Sequence, residues 1–449
     1  MDSLPYEILA SIVARTNRTT KLSLLCTSAW LYPIALEQLF SRLVLAVDPY
    51  SGDLTLDSAR LLHQLYSRRT VRGKVYEPAK CVRSMRIIFS PAPSFPVSPR
   101  NGRTLWAAVG QLVRNRDVAS NLLYLQWHTG CLRPAERLPL VLPHSLQTLD
   151  ASACHLDTSI TLQRLTSLKL RHISPSETAW ISRQVQQSQL RDLCLSGASD
   201  CCGVQLSACI PADVACLRQL RTLELQFVNL DRLALDPATR LTGLVLRCCL
   251  GNSLVFDACR PNADRLASLT VVTDRDLDDP TIGSYMELLS ACTSLKALRL
   301  LLGGRTSTIP IKWTDPVRHR LETLVLEGRQ FVVAPTINFT YTPTQVEDLI
   351  QSMPKLRVLG LPIALSSPIV LASGIRLLHV RNLPCTLPPA DALAKLLSGL
   401  VDAKHAIIMT GCSNEYRAMV ITHGSPDHPF RIVVDEQLLQ YSTPWVEPV

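Results

Sequence analysis

The sequence predicts an α/β fold: a solenoid with a curved parallel sheet and irregular convex helices, preceded by a small unit of three helices. Three observations predict it. A frame of apolar residues, exemplified by Leu220-Arg-Thr-Leu-Glu-Leu225, returns along most of the 449-residue chain. Hydrophobic residues make up 47% and aromatics only 5%, so leucine has to supply the core. Residues 1–45 depart from the strand frame and keep helical spacing instead.

In that leader, Pro5 stands where a helix begins, after Asp2 and Ser3 as candidate caps, and Ile8, Leu9, Ile12 and Val13 recur at helical spacing. The turn Asn17-Arg-Thr-Thr20 precedes a short apolar helix with Leu22, Leu24, Leu25 and Cys26. Trp30 and Pro33 open a third helix, Ile34 to Phe40. Three short helices have little core of their own, so this unit is expected to lean on the first repeats. Leu4-Pro-Tyr-Glu-Ile-Leu9, then Ile12, Leu24-Leu-Cys26, Trp30 and Leu39-Phe40 resemble the F-box, the adaptor-binding motif of cullin–RING ubiquitin ligase receptors. The resemblance covers about a tenth of the chain. It implies docking on a Skp-type adaptor through Leu4, Pro5, Ile8, Leu9, Ile12, Leu25 and Trp30. The alternative is an amphipathic cap that shields the first repeat, since a solenoid needs its ends covered.

From Phe40 onward the frame recurs thirteen times, beginning with Phe40-x-x-Leu43-x-Leu45 and ending with Ile375-x-x-Leu378-x-Val380. Side chains alternate along a strand, so Leu223 and Leu225 face one side while Thr222, Glu224 and Gln226 face the other. From Leu122 to Ile375 ten intervals span 253 residues, a mean of 25.3. That spacing lies within the window of the leucine-rich repeat, in which each strand buries its leucines against its neighbours. Between strands, helical patterns are read at Asp57 to Arg68, Thr104 to Arg114, Ser176 to Gln187, Asp279 to Ala291, Pro343 to Ser352 and Ala390 to Leu400. The expected domains are therefore a helical unit at 1–45, a solenoid at 46–400 with a Pro-rich basic loop at 90–103, and a C-terminal cap at 401–449. In the cap, Ala406 to Met409 and Arg417 to Ile421 read as strands, and Glu436 to Tyr441 as a closing helix.

The net charge is +9, and residues 1–120 hold 16 Lys or Arg against 8 Asp or Glu. Most of that excess lies between Arg68 and Arg116. A basic segment attracts acidic protein or nucleic acid, but no nucleic-acid motif accompanies it and nucleic acid is not the expected partner. The start lacks a basic n-region and a continuous apolar run, and no apolar stretch approaches a bilayer span. No membrane association is expected, and the cytoplasm or nucleus is the expected compartment. The fifteen cysteines then read as reduced thiols.

Cys154 and Cys249 occupy the position where leucine-rich repeats resemble one another in using Asn or Cys to satisfy backbone groups between repeats. Cys201, Cys202, Cys209 and Cys216 lack the paired C-x-x-C hooks of a zinc site. Asp274-Arg-Asp-Leu-Asp-Asp279 has Asp279 where a calcium loop needs glycine and Tyr285 where it needs glutamate, so it reads as an acidic loop capping the next helix. No nucleophile elbow, phosphate-binding glycine loop or His-x-x-x-His pair is present, so neither metal, cofactor nor catalysis is expected.

Recognition is expected on the concave face, where Lys169, Arg171, Arg247 and Arg299 form a basic track beside Glu224, suited to an acidic or phosphorylated segment of a protein target. Unrelated solvated charges are the alternative. The resemblances together imply a substrate-recognition subunit of a Skp–cullin–F-box ubiquitin ligase, non-catalytic itself, that presents a target for ubiquitin-dependent degradation. A repeat scaffold for protein–protein contacts without any ligase role is the second reading.

Overall fold

A computed structural model describes residues 5–47, 54–89, 116–128, 142–152, 161–197, 204–210, 217–330 without 234 and 237, 337–362, 377–381, 406–412, 415–423 and 430–434. The chain is α/β and divides into two compact units, Met1–Ala198 with Ala208–Leu220, and Ser199–Ser207 with Arg221–Val449.

The first unit opens with α1 (Tyr6–Arg15), α2 (Arg18–Thr27) and α3 (Tyr32–Phe40). The expected turn at Asn17–Thr20 is instead the start of α2. Asn17 is its N-cap, and its Oδ1 accepts from the Thr20 amide at 2.8 Å, so Arg18 to Thr20 already belong to the helix. Leu9 and Val13 of α1 pack on Ile34 and Ala35 of α3, with Leu24 and Leu25 partly buried against them. After α3 come β1 (Arg42–Val47), α4 (Leu56–Leu65), the hairpin β2 (Arg69–Val71) and β3 (Lys74–Tyr76), and β4 (Ser84–Phe89). They are followed by α5 (Arg116–Asn121), β5 (Tyr124–His128), β6 (Thr148–Ser152), β7 (Ser167–Ile173), α6 (Thr178–Gln187) and β8 (Asp192–Gly197).

Strands β1, β4, β5, β6, β7 and β8 pair in that order, all parallel. Their register aligns Leu43, Met85, Leu125, Leu149, Leu168 and Leu193 in one row, and Leu45, Ile87, Trp127, Ala151, Leu170 and Leu195 in the next. Every one of these residues is buried. The apolar frame therefore sets the register, because a one-residue slip would turn a whole row to the opposite face.

The second unit repeats the arrangement with β9 (Thr222–Gln226), β10 (Gly243–Arg247), α7 (Asn252–Cys259), β11 (Ser268–Thr273), α8 (Asp279–Ala291), β12 (Ala297–Leu302) and β13 (Thr323–Gln330). Then come β14 (Ile337–Asn338), α9 (Pro343–Gln351), β15 (Val358–Pro362), β16 (Leu377–Arg381), β17 (Ala406–Cys412), β18 (Glu415–His423) and β19 (Phe430–Val434). The parallel register carries Leu223, Leu244, Leu269, Leu298, Leu324, Leu359 and Leu378 in one row. The two expected cap strands are β17, which continues the ladder in parallel, and β18, which pairs with β17 antiparallel; β19, which was not foreseen, pairs antiparallel with β18.

The expected helices at Asp57, Ser176, Asp279 and Pro343 are present as α4, α6, α8 and α9. Thr342 and Gln345 form a reciprocal cap at α9, which explains its abrupt start at Pro343. Those expected at Thr104–Arg114, Ala390–Leu400 and Glu436–Tyr441 lie outside the described residues, as does the loop at 90–103. Helix α7 was not foreseen: it starts from Gly251, at φ 78°, without a side-chain cap. The acidic loop does cap α8, with Asp278 Oδ1 accepting from the Thr281 amide at 3.0 Å. No helix among the described residues is long and apolar enough to cross a membrane.

Cys249 Sγ lies 3.3 Å from the Leu225 carbonyl and 3.4 Å from that of Arg247, so it ties adjacent repeats as its position implied. Cys154 lies outside the described residues. Burial pushes the thiols of Cys259 and Cys292 up to about 12. At pH 8 only on the order of one in ten thousand of either is thiolate. In native protein, maleimide labelling read by peptide mass spectrometry is expected to modify the exposed Cys26 and spare Cys259 and Cys292. Labelling should reach the two buried thiols only after denaturation.

Tyr285 is fully buried between Phe256 and Trp313, with ring centroids at 5.8 and 6.2 Å. Its hydroxyl finds no hydrogen-bond partner among the described residues. A buried hydroxyl left unsatisfied costs about 1–3 kcal/mol, so Tyr285→Phe is expected to stabilise the chain by about 1 kcal/mol in urea unfolding.

Candidate functional site

The leader helices separate their apolar residues into two sets. Leu9 and Val13, at 4% and 3% exposure, face α3 and form the small core. Ile8 and Ile12 stand one residue earlier in the helical cycle and are 47% and 50% exposed. Pro5, Ile8 and Ile12 follow the i, i+3, i+7 spacing that places residues on one helix face. Tyr6, also half-exposed, donates its hydroxyl to Glu37 Oε2 at 3.1 Å and pins α1 to α3. Desolvation, with the Glu37 carboxylate beside it, holds the Tyr6 phenol above its ordinary range. Trp30 is 46% exposed at the connection between α2 and α3. The result is an outward apolar set that the inward packing does not use.

Of the residues expected to dock an adaptor, Pro5, Ile8, Ile12 and Trp30 are exposed. Leu25 is partly buried against the bundle core. Leu9 is corrected: its side chain is in that core, so it holds the helices together and offers no docking surface. Leu4 lies outside the described residues. Tyr6 was not among the expected residues, although its place beside Pro5 at the helix start was visible in the sequence.

The face between the frame rows was the expected recognition surface. In the first unit its register runs Val44, Arg86, Gln126, Asp150, Lys169, Cys194. Arg86 Nε donates to Gln126 Oε1 at 2.6 Å, and Gln126 Nε2 to Asp150 Oδ2 at 3.5 Å. Lys169 stands opposite Asp150, and Arg171 opposite Ser152. These two cations therefore border a polar row that already contains its own acid.

In the second unit the row is Glu224, Val245, Thr270, Arg299, Val325, Gly360. Arg247 Nε lies 3.3 Å from Glu224 Oε1. Arg299 is half-buried; burial lowers its guanidinium pKa from the ordinary value, and the like charge of Arg247 lowers it further. Glu224, Arg247 and Arg299 are thus brought together, but not as an open track. Thr270 and Val325 are buried, and a Cβ at Gly360 would come within 2.8 Å of Val325 Cγ2. The missing side chain at Gly360 lets Val325 pack down and closes that part of the row. Of the expected basic track, Arg247 is paired with Glu224 and Arg299 is half-buried.

Among the described residues no group of three or more His, Cys, Asp or Glu side chains is placed to hold a metal ion. No family model matches the chain, and no curated protein is similar to it above the level expected by chance.

Proposed function

We propose that this protein is a substrate-recognition subunit of a cullin–RING ubiquitin ligase. Its F-box-like leader docks on a Skp-type adaptor, and its parallel-strand array, read as a leucine-rich repeat solenoid, holds a protein target. The chain performs no bond chemistry in this reading. It supplies proximity, since holding a target lysine near the ubiquitin-loaded enzyme replaces an orientational cost of several kcal/mol, roughly the effect measured for positioned reactants.

The single observation that carries the reading is the outward set Pro5, Ile8, Ile12 and Trp30 on a helical unit whose packed cluster of Leu9, Val13, Ile34 and Ala35 does not include it. Large apolar side chains left in water gain about 25 cal/mol per Å² when a partner covers them. The resemblance of the leader to the F-box supports a Skp-type adaptor as that partner. The test is size-exclusion chromatography of the purified full-length chain mixed with a recombinant Skp-type adaptor at micromolar concentration. A one-to-one complex is expected; separate elution of the two proteins at that concentration rejects the ligase role.

A further inference from the structure

We propose that the hairpin β2–β3 is a second docking element, which takes an acidic, extended polypeptide segment as an added strand. Arg69, Thr70 and Val71 pair antiparallel with Tyr76, Val75 and Lys74, and the hairpin forms a two-stranded sheet of its own. Arg72 and Gly73 between them have φ of 49° and 75°. Two successive positive φ values make the tight turn whose twist matches the flanking strands, so the ribbon is set at its tip. Arginine is an uncommon occupant of that conformation, and here it places a charge at the point furthest from the root.

The root is anchored. The Tyr76 ring lies 5.1 Å from that of Tyr32, which is buried in α3. Glu77, the one acid between Arg68 and Lys80, is engaged by Arg68 at 2.9 Å and Lys80 at 2.6 Å. The cations beyond it have no such neutralisation: Arg69, Arg72 and Lys74 are exposed and make no ion pair among the described residues. Alternation along the strands places Arg69 and Lys74 on one face, as diagonal neighbours whose like charges repel until an anion lies between them.

The backbone decides the class of partner. In a hairpin closed by two residues, the second pair back from the turn, Thr70 and Val75, points its amides and carbonyls outward. Both residues are exposed, Val75 at 60%. An open strand edge complements another polypeptide backbone, with side-chain pockets and charges setting preference. A phosphodiester chain leaves that edge unfilled, and three cations give few of the phosphate contacts on which nucleic-acid affinity rests. No hairpin was expected here, because Arg72-Gly73 is not one of the Asn-Gly or Asp-Gly pairs that mark such a turn. This element uses residues other than the adaptor-docking set, so it stands or falls separately from the proposed ligase role.

Fluorescence anisotropy tests it with the full-length chain and three labelled probes: an eight-residue peptide alternating Glu and Val, its Lys and Val counterpart, and a 20-base-pair DNA duplex. The acidic peptide is expected to bind and the basic one not. Arg69→Glu with Lys74→Glu should weaken acidic-peptide binding at least about tenfold, a loss that shrinks as salt is raised. Val75→Pro, which keeps every charge but removes the outward amide, should weaken it about fivefold or more. Adaptor capture should be unchanged in both variants, which separates failure here from failure of the ligase reading. Absence of acidic-peptide binding, indifference to either variant, or tighter binding of the duplex with loss in the charge-reversal variant overturns the proposal.

Discussion

Replacing Ile8 and Ile12 together by aspartate is expected to abolish capture of a Skp-type adaptor, weakening it at least about a hundredfold, while the thermal midpoint moves by no more than about 2 °C. Both side chains are half-exposed and neither belongs to the Leu9, Val13, Ile34, Ala35 core, so the folded chain loses little. A docked interface loses much more, because two carboxylates would be driven into an apolar contact, at about 1–3 kcal/mol each. Leu9→Ala is the control with the opposite profile. It removes a buried side chain from a core of few members and is expected to cost about 2–4 kcal/mol of stability, reducing capture only in proportion to the unfolded fraction. Calorimetry and surface plasmon resonance on the same preparations separate the two. Full capture by the double aspartate variant would remove the leader from any docking role.

The contrast between Ile8 and Leu9 also marks how far the sequence reaches. Both residues satisfy the same helical spacing, which together with Pro5 located α1. Which of the two stripes turns inward depends on Ile34 and Ala35, which approach from α3 and are invisible to a local pattern. The parallel ladder was far more legible, because Leu223, Leu244, Leu269 and Leu298 each announce the same phase in their own repeat and have only each other to pack against. Long-range burial was not. Arg299 sits between two leucines and reads as solvent-facing, yet its neighbours half-cover it. Val325 sinks only because Gly360, 35 positions later in the numbering, offers no side chain in its way. Helix α7 was missed for a local reason, since a left-handed glycine start resembles a turn until the residues after it are seen to coil.

Among substitutions in the second unit, Arg305→Ala is expected to lower stability by about 3 kcal/mol. The guanidinium is 8% exposed and uses its fork in several directions. Nη1 donates to Asp276 Oδ1 at 2.6 Å, Nε to the Ser307 carbonyl at 3.1 Å and Nη2 to the Thr308 carbonyl at 3.3 Å, and the group lies 5.3 Å from the centre of the Trp313 ring. A Cβ on Gly328 would stand 3.1 Å from Arg305 Cδ, so the absence of a side chain there leaves room for the aliphatic stem. Alanine would leave two carbonyls without this donor and open a void beside Trp313. Arg305→Lys keeps the charge but cannot reach all three acceptors at once, and is expected to cost about 1–2 kcal/mol. Asp276→Asn should cost least, about 1 kcal/mol or under, because that carboxylate is 40% exposed and water replaces much of what it loses. Urea unfolding at constant m-value measures the order. If Arg305→Lys matched the wild type while Asp276→Asn matched Arg305→Ala, charge alone would be holding this segment. The expected order instead assigns the stability to the planar fork, which binds the turn after β12 to the acidic loop of the preceding repeat and to its own downstream carbonyls.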